Sequence, residues 1–96
     1  MVTTLDDVVV PDNGLCVRDL DGEVFLFAGS GDRLHALDDL GSFIWRLLDG
    51  RRPLREVLDA ILAEYDVARE IAARDLLQFV DSLAEQGVVQ LKPGSP

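Results

Sequence analysis

Hydrophobic and polar positions change period once along this chain, near residue 37. Before that point, short apolar runs alternate in part with polar residues and are cut by turn dipeptides, the pattern of strands. "GLCVRDL" (14–20) and "EVFLFA" (23–28) flank Asp21–Gly22, a two-residue hairpin signal, and "GSGD" (29–32) turns the chain again into "RLHAL" (33–37). "DDVVV" (6–10) reads as a short lead-in strand or as the start of the first one. After residue 37 the apolar positions recur at three and four. Asp38 or Asp39 is a suitable N-cap for a helix over about 40–48, with Leu40, Phe43, Ile44, Leu47 and Leu48 on one stripe and Gly50 as its terminating glycine. Pro53 suits the first position of a second helix reaching about Tyr65, with Leu54, Val57, Leu58, Ile61 and Leu62 on its stripe. A third helix, about 68–86, buries Ala72, Leu76, Phe79, Val80 and Leu83 and stops at Gly87, before a "VVQL" tail (88–91). The pattern predicts an α+β fold, a three-stranded antiparallel sheet followed by three helices.

Length narrows this to one domain over residues 1–96, with the core spanning about 6–91 and 92–96 a frayed end, because 96 residues cannot divide a core. With 48% apolar and 28% charged residues the chain is expected to fold. Its apolar runs are far shorter than a membrane span, and no signal peptide precedes the first strand, so a cytoplasmic location is expected. Nine basic residues against eighteen acidic give a net charge of -9, which disfavours nucleic acid.

Candidate chemistry is sparse. One cysteine, Cys16, and one histidine, His35, make neither a disulfide nor a four-ligand metal site, and no cofactor motif is present. Cys16 reads as a small buried hydrophobe and His35 as an ordinary strand residue, so no nucleophile–base pair is expected and the chain is not expected to be an enzyme. Asp38–Asp39 and Asp6–Asp7 suit capping better than acid–base work, and "GSGD" precedes a strand where a phosphate loop would open a helix. An interaction protein remains. The last two helices with the tail resemble a winged helix-turn-helix, which keeps a DNA-binding regulator as the alternative, but the third helix sets Arg69 and Arg74 against Glu70, Asp75, Asp81 and Glu85. Four of the nine basic residues, Arg46, Arg51, Arg52 and Arg55, cluster where the first two helices meet. They are the expected contact for a partner enzyme.

The stretch "RLHALDDLGSFIWRLLDGRR" resembles the signature of PqqD-like proteins, the family of recognition elements for ribosomally made, modified peptides. Leu37, Gly41, Ile44, Trp45, Leu47, Leu48, Asp49 and Gly50 occupy the matching positions, "REVLDAILAEYDV" is similar to the family's second helix, and "ARDLLQFVDSLAEQGVV" to its third. Asp38 stands for the usual asparagine and keeps the capping role. Pro53 stands for the usual threonine or serine ahead of Glu56, which removes a reciprocal capping box. The resemblance covers roughly residues 14–91. It implies a winged helix-turn-helix-like domain, standing alone, that binds the leader of a precursor peptide and presents it to a modifying enzyme such as a radical-SAM enzyme or a leader peptidase. Pyrroloquinoline quinone, lasso-peptide and mycofactocin-type systems all use such domains. It also suggests that the leader adds as a strand along Arg33, Leu34, His35, Ala36 and Leu37, since an open edge offers backbone donors and acceptors to an extended peptide. Arg74, Leu77, Gln78 and Asp81, a stripe beside the third helix's core face, are the expected groove wall: Leu77 for an apolar leader residue, Arg74 and Asp81 for its charged neighbours. Trp45 is expected to be buried against the sheet.

Overall fold

Asp21 and Gly22 both have positive φ, 54° and 86°, the two-residue turn whose twist matches that of paired strands, and they join β2 (Cys16–Leu20) to β3 (Glu23–Phe27). In this computed structural model residues 3–12, 14–27 and 34–93 are described. The other elements are β1 (Val8–Pro11), β4 (Leu34–Ala36), α1 (Asp39–Leu47), α2 (Leu54–Glu64), α3 (Arg69–Glu85) and β5 (Val89–Lys92). The class is α+β, with the three helices following the first four strands. The strands divide between two antiparallel sheets, β2-β3-β4 in that order and β1 with β5, where the sequence predicts a single sheet. The "DDVVV" run does not feed β2: Val8 lies opposite Lys92 and Pro11 opposite Val89. The "VVQL" tail is therefore a strand, and Lys92, expected at a frayed end, belongs to it. Periodicity alone missed this sheet because each of its strands is four residues long and its partner lies at the far end of the chain.

Helix ends follow local chemistry, with two corrections. Asp38 caps α1, its Oδ1 accepting from Gly41 N at 2.7 Å. Leu48 is the C-cap of α1, so Gly50 (φ 77°) stands two residues beyond it and turns the chain toward α2. Pro53 is the N-cap of α2, one position before its predicted place, and no side chain caps that helix. Its first free N–H groups are met by the N-terminal segment: Leu54 N donates to Asp7 O at 3.0 Å and Arg55 N to Leu5 O at 2.9 Å. Backbone carbonyls thus replace the lost capping box. At the end of α3, Gly87 (φ 77°) donates to Ala84 O and Val88 to Leu83 O, the paired bonds of a Schellman motif.

The core forms where α1, α2 and α3 meet the inner faces of both sheets. Val24 and Leu26 from β3, Trp45 from α1 (8% exposed), Leu54 and Leu58 from α2 and Leu76 and Val80 from α3 are buried together, with Val9 and Val89 from the second sheet. Trp45 is buried, as predicted. Cys16 is not: it is exposed at the start of β2, an edge strand whose five residues are all exposed. Cys16 lies opposite Phe27, on the outward face that alternation assigns to Phe25 and Phe27, while Val24 and Leu26 point inward.

Candidate functional site

β4 is the terminal strand of its sheet, and no described strand pairs with its outer side. Its register with β3 sets Phe25 against Ala36, Leu26 against His35 and Phe27 against Leu34. Leu37 N donates to Val24 O at 2.9 Å. Bonded and non-bonded pairs alternate in an antiparallel ladder, so Leu37 and His35 turn their backbone groups toward β3 while Ala36 and Leu34 turn theirs to the open side. Four backbone groups, two donors and two acceptors, thus line the outer edge. Ala36 is exposed and Leu37 is in the core. Arg33, expected in this strand, lies outside the described residues.

Ser42 fixes this edge. Its hydroxyl accepts from Val24 N at 3.0 Å and donates to Leu37 O at 3.3 Å, with the side chain fully buried. The hydroxyl stands where a direct Val24 N–H to Leu37 C=O ladder bond would form. The ladder ends there, and the chain leaves β4 for α1 with both of these buried backbone groups satisfied. Reasoning from sequence passed over Ser42, because a serine in a helix's first turn has the ordinary look of a solvated residue.

Past the end of β4 lies a cleft of about 480 Å³ between the start of α1, the α2–α3 connection and the first half of α3. Leu40, Ile44, Ile61, Tyr65, Val67 and Phe79 supply apolar walls, and Asp38, Asp66 and Asp75 also line it. Tyr65 is held by an edge-to-face contact with Phe43, ring centroids 5.4 Å apart at 82°. Gly41 lets the parts close up: a Cβ there would lie 3.3 Å from Phe79 Cε1 and 3.4 Å from Leu37 Cβ. Leu37, just past β4, and Phe79 therefore both crowd the first turn of α1 at Gly41.

The residues expected to form the wall on α3 divide between its faces. Arg74 and Gln78 are exposed, Arg74 lying 3.8 Å from Asp75. Asp81 accepts a hydrogen bond from Thr3, which turns it toward the N-terminal segment, and Leu77 is half-buried on that same flank of the helix. Phe79, with Asp75 one turn before it, occupies the flank that meets Gly41 at the start of α1. A stripe's spacing identifies a helix face but leaves open which of the two flanks abuts a given strand. Phe79, already in the predicted core face, was the available signal as the large aromatic at that face's margin.

The arginines are largely engaged within the chain. Arg46 donates to Asp19 Oδ2 at 2.8 Å and to Gly22 O at 2.9 Å, fastening α1 to the β2–β3 turn. Arg52 pairs with Asp49 at 3.3 Å, and Arg55 pairs with Asp6. Arg51 has no ion-pair partner among the described residues. Asp49 also accepts from the backbone N–H groups of Arg52 and Arg51, and these bonds hold its carboxyl below the usual carboxylate range. Among the described residues no cluster of three metal-ligating side chains occurs, and no helix is long and apolar enough to cross a membrane.

An open strand edge beside an apolar cleft is an arrangement suited to an extended peptide. Residues 23–89 match the family described as "Coenzyme PQQ synthesis protein D (PqqD)", and the chain belongs to that family. It is 29% identical over 58 residues to a "PqqA binding protein" of Gluconobacter oxydans (strain 621H), a match covering 60% of this chain and 60% of that protein. Among solved structures it is similar to TbiB1 in complex with the TbiA(beta) leader peptide, with 36% identity and TM-score 0.78, over 84% of this chain and 94% of that one. It is also similar to lasso peptide synthetase B1 complexed with the leader peptide, with 31% identity and TM-score 0.75, over 85% and 96%.

Proposed function

We propose that this chain binds the leader of a ribosomally made precursor peptide as a strand added to β4 and presents it to a modifying enzyme, performing no chemistry itself. The observation that carries this reading is the open edge at Leu34 and Ala36, continuous with the cleft at Phe79, in a chain similar over most of its length to proteins solved with leader peptides. In this reading α2 and α3 form a winged helix-turn-helix-like pair whose β1–β5 ribbon is the wing, within a single cytoplasmic domain. The leader lies against Leu34–Leu37 and against the Asp75–Phe79 flank of α3. Arg74 and Gln78 reach it only from the outer rim. Leu77 and Asp81 support the helix from behind. The acidic surface of α3 favours peptide over DNA.

The partner is a peptide-modifying enzyme, a radical-SAM enzyme or a leader peptidase. Of the basic group, Arg51 is the member with charge to offer it; Arg46, Arg52 and Arg55 serve mainly to hold the chain's own elements. The test is a titration of isotope-labelled protein with the leader of its cognate precursor peptide. Amide shifts are expected at 34–37 and 75–79, with roughly micromolar to high-nanomolar affinity, about -8 to -10 kcal/mol. Shifts concentrated on the exposed face of α2, or tighter binding to duplex DNA than to the leader, would overturn the reading.

A further inference from the structure

We propose that the peptide this site selects is cationic beside its apolar anchor: a large apolar side chain seats in the cleft past β4, and a neighbouring lysine or arginine is held by Asp66 and Asp75. The inference rests on the peptide-binding reading and adds the chemistry of the segment bound.

Geometry comes first. A strand paired with Leu34 and Ala36 that continues beyond the end of β4 runs past Leu37 toward Gly41 and Phe79, which form the near lip of the cleft. The interior, about 480 Å³, holds on the order of fifteen waters at about 30 Å³ each, ample for an aromatic or leucine side chain. Its walls are apolar, so that side chain is favoured over a polar one.

Charge then decides what accompanies the anchor. Every charged residue lining the cleft is acidic. Asp38 is committed to capping α1 through Gly41 N. Asp66 has no ion pair or side-chain hydrogen bond among the described residues, and Asp75 has only Arg74 at 3.8 Å, with both side chains solvated. The two are thus available to a cation at the mouth, and an acidic residue there meets repulsion. At such exposure each carboxylate contributes about two- to fivefold in affinity. The carboxylates alone would define no site; the cleft and its continuity with the strand edge define it, and they set its preference.

The net charge of -9 attracts any cationic peptide at long range, so the local contribution must be separated from it. A displayed library of random peptides of about twelve residues, some 40 Å when extended, is selected on the intact chain and on two charge-matched variants. Asp66→Asn/Asp75→Asn removes the mouth carboxylates, and Glu56→Gln/Glu85→Gln removes two exposed carboxylates elsewhere. Parent selection is expected to enrich an aromatic residue or leucine with lysine or arginine within about two positions, the span that one strand repeat brings to the same mouth. Asp66→Asn/Asp75→Asn should keep the apolar preference, lose the cationic one and bind the parent's selected peptides about five- to twentyfold more weakly. Glu56→Gln/Glu85→Gln should keep both preferences. Neutral or acidic neighbours in the parent selection, or equal losses in the two variants, overturn the charge proposal while leaving strand capture intact. Enriched peptides that shift amides away from β4 and α3 overturn the peptide reading itself.

Discussion

Ser42 carries more of the edge's integrity than its size suggests. Removing its hydroxyl leaves Val24 N–H without a partner in a fully buried place and takes the donor from Leu37 C=O. An unsatisfied buried group costs about 1–3 kcal/mol, so Ser42→Ala is expected to lower the melting temperature by roughly 5–15 °C in a domain of this size. Calorimetry checks the magnitude, and an unchanged melt would mean that water or a direct ladder bond replaces the hydroxyl. Asp49 gives a pH-dependent test. Its folded pKa is depressed by the Arg52 and Arg51 N–H groups, so the stability it contributes is fully present above the unfolded aspartate value, near 3.9, and is lost as pH falls through the lower folded value. A carbon-detected carboxyl titration should find Asp49 protonating below the unfolded aspartate range. In Asp49→Asn the corresponding part of acid destabilisation should vanish, a small effect at so solvated a site.

At the scale of elements, the helices and the β2–β3 hairpin were legible in the sequence and the pairing of β1 with β5 was not. A helix's stripe and caps lie within a few residues of one another, and Asp38, Gly87 and the buried faces of α1, α2 and α3 fall within a residue or two of expectation. β1 and β5 pair across nearly the whole chain, and nothing local in "VVVP" or "VQLK" names the other. The site divides in the same way. The β2–β3 turn and the position of the strand ahead of α1 were legible in "DG" and in the change of period, whereas the flank of α3 that meets the start of α1 depends on how the helix is rolled in the core. The ladder's alternation makes the edge testable amide by amide. When a peptide pairs with β4, exchange at Leu34 and Ala36 is expected to slow, while His35 and Leu37, already turned toward β3, change little. Hydrogen exchange with and without bound peptide measures this. Slowing at His35 and Leu37 in place of their neighbours would place the edge in the opposite register.

For the whole molecule, the family match begins at Glu23, yet the architecture depends on residues ahead of it. Leu5 and Asp7 supply the carbonyls that cap α2, and Val8 and Val9 enter the core at 5% and 1% exposure while β1 covers β5. Fully burying two valines is worth about 3–6 kcal/mol, and each lost cap adds about 1 kcal/mol. A domain of this length has in total about 5–14 kcal/mol of stability. A chain trimmed to the family-matched residues 23–89 therefore loses β1, β2, all of β5 beyond Val89 and the caps of α2 together, and its free energy of folding is expected to fall to near zero. Circular dichroism of that fragment should show no cooperative melt, while a chain beginning at residue 3 should melt as the parent does. The β4 edge and the cleft at Phe79 lie wholly inside the trimmed fragment, so the comparison separates residues that touch a peptide from residues that hold the edge in place. Cooperative unfolding of the fragment would show that β3, β4 and the helices form a self-sufficient core and that the N-terminal strands and β5 only cover it.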